Sequence, residues 1–519
     1  MGPVRTGSAG ECAGTLTGGA SYRTMNVMPE PAATLPASAL GQPELIQGGM
    51  GVGVSHWRLA RAVALAGQRL GARVLGVVSG TGLPIMLVNR LQAGDQDAVR
   101  ALEAFHPVIG REIMDEYLVE GPQDANRRCK LPPKPEFMVT GNKRNKARMM
   151  RLAVASAFVE VWLAKEGHSG PIGINVLEKI QLMHLPVLLG AMMAGVDHVL
   201  VGAGIPHQIP AVLANFAKNE PASYRMDVSG STEKHQLTLD PREFVADGKS
   251  LKRPKFLLIA SHHALAMRLS STVEVDGFVI EGPSAGGHNA PARGKQLAED
   301  GQPIYGDRDK PDLSKLIDLA KPFWLAGSYG TPERYAEARE MGAAGVQVGS
   351  AFALCDESGL REELKQELRE RIGAEALEIK TSATASPSGF PFQIVQLPGT
   401  LSDPCVYESR ERICNMGYLV EAYQKQGEGI SFRCPAEPVD EFVRKGGSAA
   451  ETAGKICLCN GLGAAAGYGY MTKRGPEPSI VTLGKDIGFY GRLAKLHPAG
   501  NFSAEEVIRT ILPGLSATG

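Results

Sequence analysis

Residues 275–294 read V-D-G-F-V-I-E-G-P-S-A-G-G-H-N-A-P-A-R-G, and they carry a glycine-rich turn from Glu281 to a single imidazole, His288. A histidine titrates near neutrality, so it can accept or give a proton at the operating pH. Gly286 and Gly287 immediately before it allow the backbone to lie against a flat ligand, because neither has a Cβ to hold it away. The apolar run 277–280 in front of Glu281 reads as a short buried strand, which makes the turn a loop at a strand's carboxyl end. In barrels of parallel strands, ligands and chemistry sit at such loops.

Seven further segments have the same design. Apolar runs at 44–47, 73–78, 171–176, 196–201, 256–260, 323–326 and 345–348 end in Gly, Ser or Asn, or lead into such residues, and patterns with helical spacing separate them. After the first run, Ser55 is positioned to cap a helix carrying Leu59, Ala62, Val63, Ala66 and Leu70. A long helical region is expected from about 86 to 120, with a proline-bearing continuation and a second helical pattern from about 146 to 165. Eight strands alternating with helices indicate an α/β fold, a (β/α)8 TIM barrel, with the helical insertion 86–170 following the second strand.

The last two strands end in Gly327-Ser328 and Gly349-Ser350, where free backbone N–H groups and a hydroxyl can hold a phosphate. A phosphate there would place a flat ligand's ring over the barrel centre. This points to FMN in preference to NAD, since no G-x-G-x-x-G opens a helix with an acidic residue about 20 positions further on.

The 519 residues contain 55 Lys plus Arg and 55 Asp plus Glu, so no global field favours nucleic acid or an anionic membrane. The basic run Lys143, Arg144, Lys146, Arg148 and Arg151 reads as a solvated helix face. No apolar run reaches the roughly 20 residues that cross a bilayer, so a soluble, cytoplasmic protein is expected. Residues 1–40 lack apolar periodicity and a continuous apolar core, and read as a flexible leader, not a signal peptide.

With these residues in view, the chain resembles the nitronate monooxygenase (2-nitropropane dioxygenase-like) family, which includes FMN-dependent enoyl-acyl-carrier-protein reductases. The matching pieces are I-Q-G-G-M (46–50), I-G-I-N (172–175), V-G-A-G-I-P (201–206), E-G-P-S-A-G-G-H (281–288) and G-A-A-G-V-Q-V-G-S-A-F (342–352). The resemblance implies that Gly48, Gly49 and Met50 line the flavin and that Asn175 and Glu281 hydrogen-bond its polar edge. It further implies that Gly286 and Gly287 pack near the ring, that Gly327, Ser328, Gly349 and Ser350 bind the phosphate, and that His288 is catalytic. Three details depart from the family, one of them the unusual length of the stretch 86–170 between the second and third strands. Ser284 stands where relatives carry Glu, and the seventh strand ends Ala326-Gly327-Ser328-Tyr329 where the family has Ala-Gly-Gly-Ile.

Two reactions fit the resemblance. Nitronate oxidation with O2 is placed first, and NAD(P)H-dependent reduction of an enoyl thioester second, with an acyl carrier protein as an implied partner and a homo-oligomer as the expected assembly. A non-catalytic flavin scaffold with a partner-binding tail is the third reading. His207, His262 and His263 are lesser candidates near the site, whereas His184 and His198 look structural.

Residues 41–355 are thus the expected barrel and 356–519 a carboxyl-terminal subdomain, with a charged helix at 360–371 and a segment, 381–398, able to cover the barrel. Five of the eight cysteines, Cys405, Cys414, Cys434, Cys457 and Cys459, fall in this part. Their spacings match no standard zinc or iron–sulfur pattern. Unlinked buried thiols are the first reading, a zinc or iron–sulfur site the second, and a redox thiol the third.

Overall fold

The computed structural model describes residues 41–119, 130–245, 249–425, 427, 429–497 and 500–515. The expected leader therefore lies outside the described residues. Eight strands, β1 (Leu45–Gln47), β2 (Val74–Ser79), β3 (Ile172–Leu177), β4 (His198–Gly202), β5 (Lys255–Ala260), β6 (Gly277–Glu281), β7 (Phe323–Ala326) and β8 (Gly345–Val348), pair in parallel and in sequence order. Pairing of β8 with β1 closes the barrel. Every segment expected to be a strand is one, within a residue or two.

Side chains alternate in and out along each strand. Ile46, Leu75, Val77, Leu200, Leu257, Val279, Trp324, Ala326 and Ala344 form a separate apolar cluster inside the barrel. Fully buried Trp324 plugs the amino-terminal end, its indole N–H donating to the Pro43 carbonyl at 2.7 Å. Outward-facing strand residues such as Val78, Ile174, Val199 and Phe278 join the larger core beneath the surrounding helices.

The region expected as one long helix is three: α2 (Leu83–Gln92), α3 (Gln96–Phe105) and α4 (Pro107–Tyr117). Asp95 caps α3 by accepting from the N–H groups of Asp97 and Ala98, and Pro107, with no N–H to continue the preceding helix, opens α4. Ser55 is not the cap of α1 (Trp57–Leu70). His56 takes that position, while the Ser55 hydroxyl turns inward, donating to the Gly48 carbonyl at 3.0 Å and accepting from the Met50 N–H at 2.9 Å. The basic run lies on α5 (Lys143–Ala164), where Arg148 pairs with Glu116 and Arg151 with Glu112. α6 (His184–Met193) crosses α5 closely at Gly190, where a Cβ would lie 2.0 Å from the Val154 carbonyl oxygen.

One excursion carries no counterpart in the sequence reading. Ala222–Met226 and His235–Leu239 form an antiparallel pair between β4 and β5, and Val228–Ser229 beside them pairs with Glu421–Gln424 of the carboxyl-terminal part. In that part, the charged helix spans Glu362–Gly373, and strands β9 (Ile379–Ser382) and β10 (Phe392–Val395) form a hairpin over the barrel mouth.

His184 and His198 are buried, as expected of structural residues. The His184 Nε2 lies 3.0 Å from the Glu178 carbonyl, while neither ring nitrogen of His198 has a hydrogen-bond partner. Burial pushes both imidazoles down to about 4. Below pH 6.5 the unfolded chain therefore binds protons that the folded chain refuses, and these histidines withdraw stability as the pH falls towards 4. Glu178, pushed up to about 7 by burial, acts in the opposite sense over the same range. Replacing His198 by Leu should therefore stabilise the protein at pH 5 relative to pH 7 by roughly 2 kcal/mol compared with the parent chain, measured as the difference in urea unfolding free energies.

Candidate functional site

The same alternation that fills the barrel with apolar side chains puts a polar layer at its mouth. Ser79, Asn175, Glu281 and Gln347 occupy inward positions near the strand ends, and all line one cavity of about 260 Å³. The glycine loop after β1 forms part of its wall. Gly48, Gly49 and Met50 line it, pinned by Ser55 and by the Asn175 amide, which donates to the Gly49 carbonyl at 2.9 Å. Gly49 has to be glycine, since a Cβ there would stand 2.4 Å from the Asn175 Cβ.

Gly286, Gly287, His288, Gly327, Ser328, Gly349 and Ser350 line the same cavity, so the fold brings every residue singled out for flavin binding or catalysis to one place. Their local roles are more specific than the sequence indicates. Gly286 makes room for protein: a Cβ would lie 2.9 Å from the Leu483 carbonyl carbon. Gly287, at φ +80°, donates its N–H to the Thr482 hydroxyl at 2.7 Å. The Ser350 hydroxyl accepts from the Gly484 N–H at 2.8 Å, and the Lys485 N–H donates to the Ser284 carbonyl. Residues 479–486 thus strap the loops after β6 and β8 together across the mouth.

Ser284 and Ser328 meet at the mouth. The Ser328 hydroxyl donates to that of Ser284 at 2.8 Å. Ser328 also sits at φ +66°, a left-handed conformation that an L side chain holds only when its surroundings fix it, and this hydrogen bond supplies such a tie.

His288 is held by the hairpin. Its Nε2 lies 2.8 Å from the Ser386 hydroxyl, which contacts the Ser388 hydroxyl at 2.7 Å, and its ring meets Phe392 edge-on at 4.8 Å. Burial lowers the imidazole to about 4, so it is neutral at pH 7. Burial raises the Glu281 carboxyl to about 7. The cavity therefore holds a neutral base and a carboxylic acid that titrates near neutrality, in opposite senses for one physical reason.

Other candidates fall outside it. His207 is exposed, its Nδ1 3.2 Å from the Ile205 carbonyl. His262 caps the helix His263–Ser270 and borders a much smaller polar pocket behind Glu281. Among the described residues, no group of three or more His, Cys, Asp or Glu is placed to hold a metal ion, and Cys405 is exposed. Cys459 lines the cavity.

Three features escaped the sequence reading. Gln347 had a usable signal, a polar residue between two valines at an inward register position. Ser386 lies in the segment 381–398 expected to cover the barrel, though nothing marked its hydroxyl as the partner of His288; the strap 479–486 had no signal, because only the return of the carboxyl-terminal chain places it there. Asn175 Oδ1 and Gln347 Oε1 are buried acceptors without a partner on the cavity wall. Such atoms fit the N–H groups of a flavin ring, and the backbone N–H groups at the ends of β7 and β8, with the Ser350 hydroxyl, fit a phosphate. The residues present are therefore suited to FMN.

No protein-family model matches the chain, and no curated protein sequence matches it. Among solved structures it is similar to a nitroalkane oxidase from Streptomyces ansochromogenes, at 14% identity over 90% of this chain and 94% of that one, with a TM-score of 0.42. It is also similar to FabK from Thermotoga maritima, at 14% identity over 91% of each chain and a TM-score of 0.41. A further similar structure is the enoyl reductase domain of MlnA from the macrolactin biosynthesis cluster from Bacillus amyloliquefaciens, at 11% identity over 92% of this chain and 96% of that one, with a TM-score of 0.42. At these scores the functional reading rests on the barrel mouth itself.

In a titration of 15N-labelled histidines by NMR, His288 should remain neutral down to about pH 4. Ser386→Ala should change its ring nitrogen shifts while lowering unfolding stability by only about 1 kcal/mol.

Proposed function

We propose that the chain is an FMN-dependent oxidoreductase that reduces an enoyl thioester with NAD(P)H as the electron donor. FMN, held by Gly48, Gly49, Met50, Asn175, Gln347 and the ends of β7 and β8, would supply the hydride chemistry. The observation that supports this substrate is the lining of the cavity. Leu360, Tyr418, Leu458, Leu462, Ala465 and Ile480 give it an apolar wall, and its described lining contains Glu281 and Asp486 but no Lys or Arg. A neutral acyl chain would bury its methylenes against this wall at about 0.8 kcal/mol each, a gain that a small polar nitronate does not offer.

The two titrating residues divide the proton work. Glu281 keeps its proton in about half of the molecules at pH 7 and can give it to a carbon that gains negative charge beside a carbonyl. His288, neutral and fixed by Ser386 at Nε2, orients the substrate through Nδ1 and can accept a proton there. That last property favours the second reading, oxidation of a nitroalkane or nitronate with O2, in which a neutral imidazole would remove the proton next to the nitro group.

Anaerobic NAD(P)H consumption with an enoyl thioester, set against O2 uptake with a nitronate, separates the two reactions. Enoyl-dependent consumption is the expected result; nitronate-dependent uptake alone would sink the proposal. His288→Ala should retain the flavin absorbance and lose about 100-fold or more in kcat. In the parent enzyme kcat/KM should fall above about pH 7 as Glu281 loses its proton, and Glu281→Gln should abolish that limb.

A further inference from the structure

Four cysteines reach one buried neighbourhood from separate segments. Cys414 precedes the strand Glu421–Gln424, Cys434 follows the strand Ile430–Arg433, and Cys457 and Cys459 stand at the start of helix α7 (Leu458–Ala465). Cys414 lies within electrostatic reach of Cys434, Cys457 and Cys459. No three of these thiols, however, are placed to share a metal ion among the described residues.

Within the group, Cys457 and Cys459 interact side chain to side chain. Cys459 is also the one cysteine among the described residues lining the main cavity, where it stands beside Leu458, Leu462, Tyr418 and Leu419. A small molecule that enters the cavity therefore meets one thiol, and that thiol has a second at its side.

We propose that Cys457 and Cys459 are a site of reversible oxidation by a hydroperoxide. The Cys459 sulfur attacks the peroxide, the O–O bond breaks, and Cys459 becomes a sulfenic acid as an alcohol leaves, or water when the oxidant is hydrogen peroxide. The Cys457 sulfur then attacks the Cys459 sulfur, an S–S bond forms and water leaves. Two thiols and one hydroperoxide thus give one disulfide, one alcohol and one water, with two electrons passing from sulfur to oxygen.

The electrostatics support the order of attack. The Cys457 side chain, helped by the N–H groups of Leu419 and Tyr418, holds the Cys459 thiol below its usual range against the opposing effect of burial, while Cys457 is pushed well up. The thiolate is the nucleophile, so Cys459 reacts first and Cys457 resolves. The site rests on the cavity wall and stands whichever reaction the flavin site catalyses.

The test uses the full chain treated with hydrogen peroxide, alkylated and digested with trypsin, which leaves both cysteines in one peptide, 456–473. That peptide should lose two hydrogens and escape alkylation while Cys434 and buried Cys355 remain free, and dithiothreitol should reverse the change. In Cys457→Ser, Cys459 should accumulate as a sulfenic acid trapped by dimedone. Oxidation confined to exposed Cys405, or a disulfide from Cys459 to Cys414, would overturn the proposal. Zinc or iron bound at one equivalent per chain in the protein as purified would overturn it equally, since the thiols would then be ligands.

Discussion

Closure of the barrel by hydrogen bonds between β8 and β1 is the constraint on which the rest of the molecule depends. Once the sheet is closed, every strand has only two faces, and the inward one must be filled. Apolar side chains fill it up to Val279 and Leu257, and Trp324 seals the far end. The next inward position on each strand lies at the mouth, where Asn175, Glu281 and Gln347 can be polar because they line a cavity instead of packing against other side chains. The site is thus the last layer of the core.

The carboxyl-terminal part finishes what the barrel begins. Residues 479–486 bind backbone or hydroxyl groups of Gly287, Ser284 and Ser350, so the loops that face the ligand are tied to one another through a segment far away in sequence. The hairpin from β9 to β10 sets His288 against Ser386 and Phe392. Burial among these segments lowers His288 and raises Glu281, because it penalises the charged form of each, and the two become a neutral base and a weak acid. Stability and reactivity therefore share one cause, as buried His184 and His198 show in the same molecule without any place at the site.

Ser284 and Ser328 depend on each other. Ser328 holds a left-handed backbone that glycine adopts more easily, and its hydrogen bond to Ser284 ties the loop after β6 to the loop after β7.

The amino-acid sequence alone determined the eight strands, their order and the glycine-rich ends, because short apolar runs punctuated by glycine are local signals that the closed sheet merely assembles. It also determined that the residues 46–50, 175, 281–288, 327–328 and 349–350 belong together, since in a parallel barrel all carboxyl ends share one face. The breaks of the helical stretch at Asp95 and Pro107 are local signals, a cap and a proline, that apolar periodicity alone passes over, and Ser55 turns to a loop only seven residues away at most. Only the tertiary structure decided that Ser386 holds His288, that Gly286 makes room for a strap, and that Cys459 reaches the cavity while Cys405 does not. Each of these last three depends on a contact between segments far apart in the chain, and such contacts leave no period or spacing to read.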